Sequence, residues 1–206
     1  MMMHTERLAD VLAQVDDGRI QVPEFQRELV LTDDWVIGLL ASVSLGYPVG
    51  ALTFLEAGEP TTRFATAPLA GTASRTRDAE RLLVDGRRRL TALHLALCRD
   101  GLVPTVDRGA RRYLLDLNRA RHPGVDRDQA LLSVPATGDL SVPDGAVALH
   151  TVLAAAASST TWPEAVAAFD RYELPTIVLA RDTTRWTVRV HGGTDGRALS
   201  DRYRTG

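Results

Sequence analysis

Residues 82–97 read LLVDGRRRLTALHLAL. A short apolar run ends at Asp85–Gly86, and apolar residues then recur at helical spacing from Leu90. The pattern predicts a strand that turns at Gly86 into a helix running to Arg99. Arg87, Arg88 and Arg89 then occupy the first helical turn, about 100° apart. Positive side chains oppose the dipole at a helix start, by a few tenths to about 1 kcal/mol each. Their presence there calls for a counter-charge: Asp85, a nearby acid such as Asp78 or Glu80, or a bound phosphate. A solvated basic turn and an anion site both satisfy this. Unpaired amides at a helix start suit an anion, and Gly86 permits a tight turn and a close approach. The Walker A spacing is missing, so this is not a P-loop.

Upstream, TERLADVLAQV predicts a helix over residues 5–15, capped by Thr5 and stopped near Gly18. RIQVPEF is extended. TDDWVIGLLASVSLG predicts a second helix, capped by Thr32 or Asp33 and closed by Gly46, and PVGALTFLEAG a strand. Residues 57–80 are small, polar and aperiodic, the profile of a lid, a binding loop or an insertion. Their Arg63, Arg75 and Arg77 could close on a ligand or touch DNA phosphates, a solvated loop being the simpler reading. Downstream, RRYLLDLN, LLSVP and LPTIVLA read as strands, and AVALHTVLAAAAS and WPEAVAAFDRY as helices. No repeat or sharp linker divides the chain.

With 206 residues and 45% hydrophobic content, the chain can bury a real core. A net charge of −2 excludes bulk attraction to nucleic acid, so any anion binding is local. All 24 basic residues are arginine, which suits a GC-rich genome and also grips phosphate through paired hydrogen bonds. Cys98 stands alone, and no Cys/His cluster has metal-ligand spacing, so no metal site is expected. The start lacks a signal-peptide core, and no apolar run approaches the ~20 residues that span a bilayer. These features predict a cytoplasmic protein. His94 reads as a satisfied, partly buried histidine, Trp35 as core and Cys98 as a small buried hydrophobe. Ser42 and Ser44 lack a nucleophile-elbow context.

Three elements occur in order: IQVPEFQRELVLTDDWVIGLLASVSLGYPVGALTFL (20–55), RFATAPLAG (63–71) and LLVDGRRRLTAL (82–93). Together they resemble the N-terminal domain of the GmrSD type IV restriction enzymes. That family carries P-x-F-Q-R, an aromatic-containing helix, Gly-x-Pro-[Ile/Val]-Gly and Asp-Gly-Gln-Gln-Arg-Leu-Thr. Here Phe25, Gln26 and Arg27 match the first, Gly46, Pro48 and Gly50 the turn, and Asp85, Gly86, Arg89, Leu90 and Thr91 the last. The resemblance implies a mixed α/β fold similar to ParB nuclease-like and sulfiredoxin-like domains, over residues 1–180 with its motif core at 20–100. It implies a nucleotide- or nucleic-acid-handling module in restriction-type defence. Some relatives hydrolyse nucleoside triphosphates, and most join an HNH nuclease.

Arg87 and Arg88 replace the family's two glutamines. Glutamine can orient an attacking water; arginine only donates. Phosphate grip survives this change more easily than hydrolysis does. GRRRLTA (86–92) is also similar to the Gly-x-Arg-Arg-x-x-Ala phosphate box of ParB-type domains, with Arg88 and Arg89 as the pair. The implied site therefore comprises Gly86, Arg87, Arg88, Arg89, Thr91, Gln26 and Arg27. Asp85 and Arg89 are its candidate catalytic groups, Asp85 orienting an arginine or holding Mg²⁺ beside a nucleoside triphosphate. An NTPase and a ParB-like nuclease-type domain both fit. The competing function is a non-enzymatic DNA- or partner-binding module using the same arginines.

The last stretch, RWTVRVHGGTDGRALSDRYRTG, departs from the family, whose helix with a Phe-Glu-x-[Leu/Val]-Asn core has no counterpart here. Residues 181–206 are thus expected to be a divergent or truncated tail, poorly packed. No HNH pattern follows; a standalone regulatory domain with a separate nuclease effector, a truncated sequence and a disrupted reading frame all fit.

Overall fold

The computed structural model describes residues 1–24, 29–57, 65–72, 78–137, 141–156 and 163–180. Gln26, Arg27, the loop arginines Arg63, Arg75 and Arg77, and the 181–206 tail lie outside the described residues.

The chain folds as a mixed α/β domain on two sheets. The larger holds β1 (Met2–Arg7), β2 (Ile20–Pro23), β3 (Leu52–Glu56), β4 (Thr66–Pro68), β5 (Arg81–Asp85) and β10 (Glu173–Leu179). Their order is β1-β10-β3-β5-β2-β4. β10 runs parallel to β3 and β2 parallel to β5, while the other neighbours are antiparallel. The second sheet is antiparallel: β7 (Gly109–Asp116) pairs with β6 (Val103–Thr105), β8 (Leu131–Pro135) and β9 (Ala146–Ala148).

α1 (Leu8–Asp16), α2 (Asp33–Ser44), α3 (Arg87–Leu97) and α6 (Glu164–Arg171) supply apolar residues to the main core. Two shorter helices, α4 (Leu117–Arg121) and α5 (Val152–Ala156), complete the described set. β5 shows why its run is unbroken. Leu83 faces the main core, while Leu82 and Val84 join Leu55 and Leu179 in a second apolar cluster. A strand buried on both faces needs no polar alternation. α3 is similarly enclosed, with Leu90 to His94, Ala96 and Leu97 all buried.

Two expectations change. Residues 5–7 are strand, not helix: Thr5 pairs with Pro175 instead of capping α1. α1 begins at Leu8, with Arg7 at its N-cap and no side-chain cap. Residues 146–148 are strand and 149–151 a 3₁₀ turn before the helix starts at Val152. Asp33 is 2% exposed and accepts hydrogen bonds from Tyr113 Oη (2.9 Å) and Ser133 Oγ (2.6 Å), tying α2 to the second sheet. No helix among the described residues is long and apolar enough to cross a membrane.

Candidate functional site

The predicted strand–turn–helix is present at β5–α3. Gly86 is the N-cap, at φ +95°, and no side chain caps the helix. That positive φ favours glycine, and a Cβ would lie 2.3 Å from Leu52 Cδ2 and 3.3 Å from Arg89 Nη2, so both side chains would have to shift. The helix dipole places partial positive charge at this first turn.

The three arginines part company. Arg89 turns inward. Its Nη1 donates to the Val49 carbonyl at 2.8 Å and its Nη2 to Asp85 Oδ2 at 3.2 Å. The Arg89 side chain is 20% exposed and that of Asp85 47%. Gly50, at φ +88°, leaves the space for this guanidinium, since a Cβ would come within 2.5 Å of Nη1. The Gly46–Gly50 segment and the arginine turn are therefore one interlocked unit. Tyr172 braces it from beyond: its hydroxyl donates to the Tyr47 carbonyl at 2.7 Å and accepts from the Val49 amide at 3.2 Å. Burial pushes the Tyr172 phenol above its ordinary value.

Arg88 is exposed, and its guanidinium stacks over the Trp35 ring at 3.9 Å from the centroid. The first turns of α2 and α3 thus lie side by side. Trp35 is partly buried against the core and also serves as a platform. Arg87 is partly buried, and loss of hydration lowers its affinity for the proton. Thr91 does not reach the turn. It is 0% exposed, and its Oγ1 is buried with no hydrogen-bond partner among the described residues, so the hydroxyl expected at a phosphate faces the interior.

Asp85, Gly86 and the arginines are together; Thr91 stands apart, and Gln26 and Arg27 lie outside the described residues. Residues 85–91 do not line the cavity of about 940 Å³ that Gly46, Pro48, Arg127 and Tyr172 help enclose. Sequence reasoning missed the Val49 carbonyl and Tyr172 as supports. The two glycines of Gly-Tyr-Pro-Val-Gly signalled the turn, whereas nothing near Tyr172 announced its role.

Residues 8–184 match the family described as GmrSD restriction endonuclease, N-terminal domain. The chain belongs to that family. The match covers most of the 206 residues and includes both interlocked segments. No curated protein matches the chain. The GmrSD N-terminal family sets this domain among components of restriction-type systems. Within it, the chain carries arginine at the two positions expected to hold glutamine. The structure turns one of these arginines outward on an indole and half-buries the other.

Proposed function

We propose that the start of α3 binds phosphate, with a nucleoside triphosphate as the ligand class. One observation carries this reading: a helix start with no side-chain cap among the described residues, and exposed Arg88 stacked on Trp35 beside it. Backbone amides and a stacked guanidinium are complementary to an oxyanion. Arg88 is the contact residue in this reading. Asp85 and Arg89 position the turn, since Arg89 already spends two bonds inside the protein. Gln26 and Arg27, outside the described residues, are further binding residues in this reading on the resemblance of their motif alone. Asp85, half exposed, is the carboxylate available to Mg²⁺ on the phosphates. Without the two glutamines, binding and not turnover is the main activity.

A second reading, DNA-backbone binding, is favoured by Arg88 lying on the surface, away from the large cavity. Titration separates the two. A nucleotide site discriminates triphosphate from monophosphate and stabilises the fold on binding. DNA binding through phosphates falls steeply as salt rises. Equal, salt-insensitive indifference to nucleotides and DNA would remove both.

A further inference from the structure

Asp16 closes α1, and His94 and Cys98 stand one turn apart at the end of α3. One donor atom from each of the three lies within 4.8 Å of the other two. His94 is 1% exposed. Its Nε2 lies 3.0 Å from Asp16 Oδ1, while its Nδ1 is buried with no hydrogen-bond partner among the described residues. The ring therefore has more bonding capacity than the described protein around it uses. Beside it is a cavity of about 410 Å³ lined by His94, Cys98, Gly71, Asp100 and Leu102. Gly71 keeps its wall open: a Cβ there would lie 2.3 Å from Leu95 Cδ2 and 3.7 Å from His94 Nδ1.

An imidazole, a thiol and one carboxylate form a donor set for a borderline ion such as Zn²⁺ or Co²⁺. Mg²⁺ and Ca²⁺ take oxygen shells instead. We propose that Asp16, His94 and Cys98 bind one divalent transition-metal ion of the Zn²⁺ type, with a fourth position open to the adjoining cavity. Arg99 Nε donates to the same Asp16 oxygen at 3.3 Å, from a side chain 47% exposed. In this arrangement Arg99 balances Asp16 until an ion replaces it. Ligation exchanges the Cys98 thiol proton for the metal and releases that proton to solvent. The bound ion ties the end of α1 to the end of α3, independently of the arginine turn.

Co²⁺ titrated into the full chain and followed by absorption tests this. The expected result is one ion per chain and a thiolate-to-cobalt charge-transfer band, displaced by Zn²⁺. The sequence has a single cysteine, so the band has one source. Cys98→Ser abolishes it, Asp16→Asn weakens binding about tenfold or more, and Arg99→Gln tightens it. A cooperatively melting protein with no thiolate band at saturating Co²⁺ overturns the site. Half an ion per chain overturns it as a site within one chain. Unchanged affinity in Asp16→Asn overturns the three-residue ligand set.

Discussion

Arg89 donates twice to the protein's own interior, whereas Arg88, one residue earlier, rests exposed on an indole. Their substitution should therefore separate stability from binding. Arg89→Ala leaves the Val49 carbonyl and Asp85 without their donor and opens space beside Gly50. The expected cost is about 2 kcal/mol, read by chemical denaturation. Arg88→Ala loses one surface stacking contact, worth about 0.5–1 kcal/mol. Equal costs would contradict the division of labour. The Asp-Gly turn was legible in the sequence because glycine and the change of period mark it locally. The fate of each arginine was not, because it depends on Trp35 and Val49, 53 and 40 residues away.

Among the elements, those marked by helical spacing or by a concentrated apolar run were read correctly: α2, α3, β5, β7 and β10. The misread ones owe their form to partners. β1 has no alternating pattern, and its six residues are strand because they pair with β10 from Met2↔Val178 to Arg7↔Glu173. Ala146 and Ala148 favour helix, but with β-branched Val147 between them they pair as a strand with Leu114–Asp116 of β7. β1 is also tied in by charge. Glu6 accepts from Arg81 at 2.7 and 3.0 Å, and Arg81 in turn donates to Gln14 and lies over the Phe54 ring. Burial raises the Glu6 pKa, but the bonds and charge of Arg81 outweigh it, leaving the carboxyl below its ordinary value of 4.5. A depressed folded-state pKa gives stability that is full above the unfolded value and lost as pH falls through the folded one. The stability gap between the parent and Glu6→Gln should thus be largest near neutral pH and shrink below about pH 4.5. Denaturation series at several pH values check this, and a gap that is constant or grows in acid would contradict it.

At the scale of the molecule, the N-terminal strand and the last described strand are neighbours at the edge of the large sheet. The sheet order interleaves distant segments, so its mixed α/β class was legible while its topology was not. The same interleaving brings Tyr172 against the Tyr47–Val49 segment, 125 and 123 residues away. That support links the end of the described chain to the arginine turn, and no local pattern could have shown it. The membership in the GmrSD N-terminal family rests on residues 8–184.

The most direct measurement is a thermal melt of the parent and of Arg88→Ala, each with and without a nucleoside triphosphate and Mg²⁺. Both proteins should melt cooperatively at similar temperatures without ligand. The triphosphate should then raise the melting temperature of the parent and leave Arg88→Ala nearly unmoved. An equal rise in both proteins, or none in a cooperatively melting parent at saturating nucleotide, would contradict a triphosphate site at the start of α3.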